Sequence, residues 1–309
     1  MVVRVGAARR RPRRVARGAA ARVLFSPVML KRQTSGSVVC ASCGNLVGVN
    51  DDRCYHCGRR NPGLWGFAPA VRRLGHDMGF VTFVTGACAV IYVLTLLASG
   101  QDIGMSGLSF LEPSQRSLER FGMAGYYPVV VDHDWWTVLS ASWLHGSFLH
   151  IFFNLLWIRQ LAPAVGELYG PGRMVIVYTI GGVCGFLLSS IVPAVISLPL
   201  LGGAGGTLGA SAAIFGLLGA LVYYGRRTGS SVVHGQALSW AIAMFVFGLI
   251  MPGVDNTAHA GGFVGGYLAG QYLDPLRPER VTHLLWALVC LGLSLLSIVA
   301  SVIFIRPMI

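Results

Sequence analysis

Residues 205–216 read Gly-Gly-Thr-Leu-Gly-Ala-Ser-Ala-Ala-Ile-Phe-Gly, and they open one of several long apolar segments of the chain. The glycines before Ser211 suit a turn and the residues after it suit a helix, so we expect Ser211 near a helix N-terminus. Ala212, Gly216 and Ala220 recur every four residues and give this helix a smooth face. Small residues at that spacing let membrane helices approach closely. The stretch therefore predicts a helix at the centre of a bundle, with one hydroxyl near its start.

The composition of the chain predicts a membrane protein. Of its 309 residues, 54% are hydrophobic and 12% are charged, whereas soluble domains carry about 25% charged residues. Seven apolar segments each have close to the ~20 residues that cross a bilayer as a helix. We predict membrane-spanning helices at 79–99, 137–159, 174–193, 207–225, 234–251, 256–273 and 282–305. The expected fold class is an all-α polytopic membrane protein.

The net charge of +12 does not indicate nucleic-acid binding, because most Lys and Arg residues precede residue 80 or lie between apolar segments. Residues 1–35 form a basic tail without an acidic residue, and we predict that this tail is disordered. Two alternatives stay open for it. Translation could start at Met29, so that residues 1–28 are absent from the protein, or the tail could be an organellar transit peptide.

Two Cys-x-x-Cys pairs lie in a polar stretch ahead of the first apolar segment. They are Cys40-Ala-Ser-Cys43 and Cys54-Tyr-His-Cys57, each followed by a glycine that permits a tight turn. Four thiolates from two such turns form a closed tetrahedral zinc site, which leaves no open position for catalysis. We therefore predict a structural Zn²⁺ and no metal in catalysis. The predicted order is the tail, a zinc ribbon at 36–62, a linker at 63–78 and a membrane domain at 79–305.

The arginines predict the orientation of the membrane domain. Cytoplasmic connections of membrane proteins are rich in Lys and Arg, and the arginines here fall mainly in alternate connections. Those connections carry Arg72, Arg73, Arg159, Arg173, Arg226, Arg227, Arg277 and Arg280. We expect a bacterial inner membrane, with the amino terminus and zinc ribbon in the cytoplasm. The long connection 100–136 contains Trp135 and Trp136 and suits an amphipathic structure in the headgroup region.

Polar side chains inside spanning helices are costly, so each is expected to have a function or a partner. His150 and Asn154 lie four residues apart in the second predicted span and share one helical face. His259 lies in a glycine-rich run of the sixth predicted span, at about the depth of Ser211. The glycines that recur every four residues in that run are Gly262, Gly266 and Gly270. Close packing of two smooth faces would bring Ser211 and His259 within hydrogen-bond reach.

These residues indicate a serine hydrolase with a Ser–His dyad. His259 is the expected base that removes the Ser211 proton. The Ser211 N–H, His150 and Asn154 are expected to hold the oxyanion of a tetrahedral intermediate. No acid lies in the predicted spans to orient His259, but Phe215, one turn after the serine, could stack on its ring.

At these residues the chain resembles the rhomboid family of intramembrane serine proteases. The resemblance covers about residues 79–305 and three motifs, namely the run with His145, His150 and Asn154, the sequence around Ser211, and Ala258 to Gly266. It implies a six-helix core with one additional carboxy-terminal helix, and a Ser–His dyad in a water-filled cavity open to the outer side. It also implies cleavage of single-pass membrane proteins near the top of their transmembrane segments, after a small residue and before helix-weakening ones.

The same motifs contain two residues that are expected to support catalysis, and two positions lie where the chain departs from the usual family pattern. Gly209 precedes the nucleophile in a supporting role, and His145 is expected to hydrogen-bond the long loop to the second helix. Ala212 stands where the family usually has the last glycine of Gly-x-Ser-Gly, which puts a methyl group beside the nucleophile. Trp136 is followed by Thr137, where the family commonly has arginine, which weakens the expected anchoring of the loop.

Two other function classes stay open. A catalytically inactive rhomboid-like module that binds membrane client proteins typically lacks the serine or the histidine, and both are present here. A transporter or channel would show paired intramembrane acids or inverted repeats, and the sequence has neither. The expected function is an intramembrane serine endopeptidase whose partners are transmembrane substrates and the lipid bilayer, not nucleic acid. The sequence leaves the oligomeric state open.

Overall fold

The structure, a computed structural model, describes residues 32–41, 43–69, 75–195 and 203–305. Most of the predicted basic tail lies outside the described residues, and so does a short part of the predicted linker. The described chain comprises a small amino-terminal module and a helical region.

The amino-terminal module contains a two-stranded antiparallel sheet. Strands β1 (Ser37–Val39) and β2 (Leu46–Gly48) pair with Val38 opposite Val47. Both valines are buried against two of the four cysteines of the module. An apolar core of this size supplies little stability alone. The stability of the module must therefore come largely from whatever links its four cysteines.

The helical region follows the predicted order of apolar segments. Its helices are α1 (Phe80–Ser99), α2 (Gln115–Arg120), α3 (Thr137–Ser140), α4 (Phe148–Tyr169), α5 (Pro171–Val195), α6 (Ser211–Thr228), α7 (Ser231–Ile250), α8 (Asn256–Tyr272) and α9 (Val281–Phe304). Within the described residues, five helices are long and apolar enough to cross a membrane, namely α1, α4, α5, α7 and α9. The expected all-α membrane fold is confirmed, and α6 and α8, which carry Ser211 and His259, are shorter helices packed inside it.

The second predicted span, 137–159, is wrong at both ends. The chain forms the short helix α3, passes through an irregular stretch, and begins α4 only at Phe148. Ser147 starts that helix because its hydroxyl accepts a hydrogen bond from the His150 N–H at 3.3 Å, an N-cap. Arg159 therefore lies inside α4 and not in a connection. Hydropathy could not mark the break, because the residues on both sides of it are apolar.

The long connection 100–136 is tied to the carboxy-terminal helix. The Trp136 indole N–H donates to the Ser301 hydroxyl at 3.2 Å, and the Ser297 hydroxyl donates to the Trp136 carbonyl at 2.6 Å. Gly122 also packs against Ser301. A methyl group on Gly122 would lie 2.5 Å from the Ser301 hydroxyl oxygen. Helix α9 thus anchors Trp136 even though Thr137, not arginine, follows it.

Helices α6 and α8 pack with their backbones almost in contact. A methyl group on Gly262 would lie 2.1 Å from the Ala212 carbonyl oxygen, and one on Gly266 would lie 1.9 Å from the Gly216 carbonyl oxygen. Carbon and oxygen atoms that are not bonded to each other do not approach so closely, so no larger side chain fits at either glycine. The predicted packing of the two smooth faces is confirmed.

A buried arginine closes the carboxyl end of α8. Arg173, at the start of α5, is 3% exposed. Its guanidinium donates at 2.8–2.9 Å to the carbonyl oxygens of Leu273, Asp274 and Arg277. A helix leaves its last carbonyls without internal partners. Arg173 bonds the carbonyl of the C-cap residue Leu273 and two more in the turn that follows the helix. The sequence predicted Arg173 in a cytoplasmic connection. The structure places it in the first turn of α5, where its hydrogen bonds tie α5 to the end of α8.

The contact between α6 and α8 predicts the effect of a single methyl group. Gly266→Ala should destabilise the protein by about 1–3 kcal/mol, the usual cost of overpacking, because the nearest atom is a backbone oxygen that cannot rotate away. Thermal unfolding in detergent measures this. The control is Gly292→Ala in α9, where a methyl group meets nothing within 4 Å and alanine should be neutral or stabilising. Equal destabilisation by the two variants would contradict the prediction.

Candidate active site

The structure brings Ser211 and His259 together. Ser211 is the first residue of α6, and His259 lies in the first turn of α8. The His259 Nε2 atom is 2.9 Å from the Ser211 hydroxyl oxygen, a hydrogen-bond distance. Because α6 and α8 start at the same end of their shared contact, the two side chains meet beside the N-terminus of α6, whose first N–H groups have no side-chain cap.

Asn256, which the sequence analysis missed, sits on the other side of the imidazole. Its Oδ1 atom is 3.1 Å from His259 Nδ1. An amide oxygen only accepts hydrogen bonds, so this contact assigns the ring proton to Nδ1 and leaves the lone pair of Nε2 facing Ser211. The spacing Asn-x-x-His at a helix start is the signal that could have found it, since residues three apart share a helical face.

Phe215 covers the face of the His259 ring. The two ring centroids are 4.3 Å apart and the ring planes differ by 15°. Phe215 is one turn after Ser211 in α6 and is itself 2% exposed. The imidazole of His259 is thus held in three places. Ser211 contacts it at Nε2, Asn256 contacts it at Nδ1, and Phe215 packs on one face of the ring.

An acid that the sequence analysis did not use lies directly before α8. Asp255 is the N-cap of the helix, and one of its carboxylate oxygens accepts from the Ala258 N–H at 3.0 Å. The other oxygen accepts a hydrogen bond from the hydroxyl of Ser189 in α5. The prediction that the span itself holds no acid is correct, but the span begins immediately after one.

His150 lies beside the turn that leads into Ser211. The Gly146 N–H donates to His150 Nδ1 at 3.2 Å, which leaves the proton of a neutral ring on Nε2. A methyl group on Gly209 would lie 2.5 Å from that Nε2 atom, and Gly209 has a φ of +121°. Only glycine accommodates both the backbone conformation and the imidazole. His150 can thus donate a hydrogen bond beside Gly209, two residues before Ser211.

Asn154 in α4 and His145 just before that helix are both buried. The Asn154 side-chain amide, which was expected at the oxyanion, donates one hydrogen bond to the His150 carbonyl oxygen at 2.9 Å. His145 is fully buried, and its ring packs edge-on against that of His150. The expected hydrogen bond from His145 to the long loop is not found. Apart from a loose interaction with the Trp143 backbone, neither ring nitrogen is bonded within the described residues.

The methyl group of Ala212 faces Gly185 of α5. It is buried, and it lies 2.7 Å from the position that a methyl group on Gly185 of α5 would take. Gly185 is in turn kept small by the Ala258 carbonyl oxygen, which would be 2.5 Å from that methyl group. Ala212 therefore fills a space that Gly185 leaves empty.

The four cysteines of the amino-terminal module form a second cluster. Their sulfur atoms all lie within 4.8 Å of one another. The Sγ atoms of Cys40 and Cys57 are 3.8 Å apart, and those of Cys43 and Cys54 are 3.6 Å apart. The glycine after each pair has a φ of +71° to +76°, as the tight turns require. The cluster can hold a metal ion.

Hydrogen bonds favour the thiolate form of Cys43, the form that binds metals. The Asn45 side-chain amide and backbone N–H donate to Cys43 and lower its pKa to about 6, and metals bind the thiolate form. The Arg59 backbone N–H also lowers the pKa of Cys57, but burial and the neighbouring thiols outweigh it and raise that pKa to about 11. A metal ion is needed to draw the proton from such a thiol.

Comparison with known proteins finds a family model and several relatives that match the helical region. Residues 132–275 match the family model of the rhomboid domain. RHOMBOID-like protein 1 of Arabidopsis thaliana is 32% identical over 174 residues, which cover 55% of this chain and 42% of that protein. Rhomboid protease GluP of Bacillus subtilis (strain 168) is 30% identical over 148 residues, which cover 47% of this chain and 27% of that protein. The resemblance indicated by the motifs is confirmed.

The similar proteins include a member named as inactive. Inactive RHOMBOID-like protein 8 of Arabidopsis thaliana is 28% identical over 159 residues, which cover 50% of this chain and 42% of that protein. The chain spans about half the length, or less, of the curated relatives that it matches. Activity must therefore be argued from the residues of this chain.

The buried position of the Ala212 methyl group predicts that it contributes to the stability of the folded protein. Ala212→Gly should lower the free energy of unfolding by about 1 kcal/mol for the lost buried methyl group, in addition to the helix-propensity cost of glycine. The exposed Ala89→Gly in α1 measures the propensity cost alone. Thermal unfolding of the two variants in one detergent gives the difference. An Ala212→Gly variant as stable as Ala89→Gly would show that this methyl group contributes nothing.

Proposed function

Because this chain carries a rhomboid domain at residues 132–275, we propose that it is an intramembrane serine endopeptidase with Ser211 and His259 as its catalytic dyad. The observation that supports this most strongly is the 2.9 Å contact between His259 Nε2 and the Ser211 hydroxyl. Family membership alone allows an inactive binding module as well. An inactive module has no need of a hydroxyl and an oriented imidazole in hydrogen-bond contact.

The proposed reaction begins with a proton transfer. His259 Nε2 accepts the proton of Ser211 while the hydroxyl oxygen attacks the carbonyl carbon of the scissile peptide bond. Asn256 keeps Nδ1 protonated, so the ring presents a lone pair to the nucleophile. The imidazolium then donates its proton to the leaving amine as the tetrahedral intermediate collapses to an acyl-enzyme. A water molecule, activated by the same imidazole, hydrolyses the ester and restores Ser211.

The oxyanion of the intermediate requires donors at the start of α6. The Ser211 N–H lies at the uncapped end of the helix, and the Nε2–H of His150 lies beside Gly209. Asn154 has a second amide hydrogen in addition to the one that it donates to the His150 carbonyl. We assign these three groups to the oxyanion. Each such donor commonly contributes about 2.7–4 kcal/mol to the transition state.

The proposed substrates are transmembrane segments of single-pass or other membrane proteins. The helices that surround α6 and α8 are apolar enough to cross a bilayer, so a substrate that reaches Ser211 arrives through lipid. A helical peptide bond is shielded by its own hydrogen bonds, which favours segments with helix-weakening residues after the cleaved bond. The family resemblance implies a small residue before it. We place the enzyme in a bacterial inner membrane, with the amino-terminal module in the cytoplasm where thiols stay reduced.

For the amino-terminal module we propose a structural Zn²⁺ held by Cys40, Cys43, Cys54 and Cys57. Four sulfurs at about 2.3 Å from a tetrahedral zinc ion are about 3.8 Å from one another, and the distances here of 3.6 and 3.8 Å agree. The ion would supply the folding energy that a module of this size lacks. The proposed boundaries are 36–62 for the module, 63–78 for the linker and 79–305 for the membrane domain.

The dyad predicts covalent labelling by a fluorophosphonate probe. The wild-type protein in detergent should be labelled, and Ser211→Ala should abolish the label because the nucleophile is gone. His259→Ala should reduce the labelling rate by up to about 10⁶-fold, which is the loss of turnover when the base is removed from another serine hydrolase. In-gel fluorescence measures this, with Ser190→Ala, a buried serine bonded to its own helix, as the control that keeps the label. A folded wild-type protein that is not labelled would favour the inactive binding module.

The metal site predicts one zinc ion per chain. Elemental analysis of the purified protein should find a zinc-to-protein ratio of about one, and Cys54→Ser should lose the ion because a closed four-thiolate site tolerates no missing ligand. Cys290→Ser, in α9, is the matched control and should keep it. Removal of zinc by a chelator should leave the labelling of Ser211 unchanged, since the metal has no part in the chemistry. Loss of labelling on chelation, with the melting temperature of the protein unchanged, would contradict a purely structural role.

A further inference from the structure

A polar cluster beside the dyad has no part in the proposed reaction steps. At its centre is Asp255, which accepts hydrogen bonds through three oxygen atoms. Its carbonyl oxygen accepts from the His259 N–H at 3.1 Å, one carboxylate oxygen accepts from the Ala258 N–H at 3.0 Å, and the other accepts from the Ser189 hydroxyl. The first two bonds fix the backbone of the turn that carries His259. The third ties that turn to a different helix.

Ser189 is a firm point of attachment. It lies in α5 and is fully buried, and its carbonyl oxygen accepts from the Ala204 N–H at 3.4 Å. The Gly203 N–H donates to the hydroxyl of Thr257, two residues after Asp255, at 3.2 Å. The same cluster therefore holds the start of α8 and the segment that runs from Gly203 to Ser211.

Within the residues that the structure describes, no cation forms a salt bridge with the carboxylate of Asp255. Among the described residues the one salt bridge joins Arg277 to Asp274, at the other end of α8. A carboxylate next to an apolar core is costly unless its oxygens are hydrogen-bonded, and a hydroxyl–carboxylate bond is stronger than a neutral one. The cluster thus stabilises a single arrangement of the first turn of α8.

That turn determines where the catalytic imidazole lies. Asn256 follows Asp255 directly, is 4% exposed, and has its Oδ1 atom 3.1 Å from His259 Nδ1. Its position is also limited from α7, where a methyl group on Gly248 would lie 2.4 Å from the same Oδ1 atom. A rotation of the first turn would move Asn256, and the His259 ring would lose its partner.

We propose that Asp255 is a positioning residue for the reaction at Ser211. Its carboxylate, bonded to Ser189, holds the first turn of α8 so that Asn256 keeps His259 oriented toward the nucleophile. The proposal rests on the proposed function, because it concerns the reactivity of the same dyad. It differs from ordinary helix capping in one respect: a cap that only stabilises α8 changes the melting temperature and not the reactivity of folded protein.

The experiment measures the second-order rate of fluorophosphonate labelling of the full-length protein, with the melting temperature of each variant in the same detergent. Asp255→Ala should lower the rate about tenfold, less than the ~100-fold that a 1 Å misplacement of a reacting group can cost. The loss should appear in the maximal inactivation rate and not in the probe affinity. Asp255→Asn, which can still cap the helix and bond to Ser189, should label within about threefold of wild type.

A double-mutant cycle separates positioning from stability. If Asp255 acts through Asn256, then Asp255→Ala should slow labelling by less than about twofold in an Asn256→Ala background. Ser189→Ala removes only the contact between helices and puts a good helix former in α5, so it should fold and should slow labelling severalfold. If Asp255→Ala does not fold, Ser189→Ala takes its place in the cycle.

The outcomes are distinct. Labelling of the folded Asp255→Ala and Ser189→Ala variants at the wild-type rate would overturn the positioning role while leaving the dyad intact. A full loss in the Asn256→Ala background would also overturn it, since Asp255 would then act by another route. If the wild-type protein shows no label that Ser211→Ala removes, the proposed function itself fails.

Discussion

The candidate site depends on the absence of side chains between α6 and α8. Gly262 and Gly266 lie so close to the carbonyl oxygens of the facing helix that backbone meets backbone. The separation of the two helices is set by the size of main-chain atoms, and it brings the side chains of Ser211 and His259 within reach of each other. In lipid no hydrophobic effect draws helices together, so such close packing must supply much of the attraction.

The start of α8 shows how the cost of polar groups in a membrane is offset. Asp255, Asn256, Thr257 and His259 lie within five residues, and each has a hydrogen-bond partner. A polar side chain without a partner at this depth would be strongly unfavourable. The same bonds that make these groups tolerable also restrict their geometry. In this protein the solvation requirement and the orientation of the imidazole are met by one set of contacts.

Sequence periodicity predicted the helices and the residues that meet between α6 and α8, because small residues repeated every four positions define a face. It did not predict the break before Phe148, since hydropathy is uniform across it and only the cap of Ser147 marks the helix start. It also missed Asn256 and Asp255. Their roles depend on partners elsewhere in the fold, on a ring in the next turn and on a serine in α5. A polar residue at a helix end reads as an ordinary cap until those partners are located.

The attachment of Trp136 to α9 has a consequence for biogenesis. The serines that hold the backbone and the indole of Trp136 are residues 297 and 301, so they are synthesised after helices α1 to α8. The long connection, made before most of the helices, can take up this contact only after the ribosome has passed residue 301. Until then the connection lacks this anchor, so its contact with α9 forms after the other helices have been made.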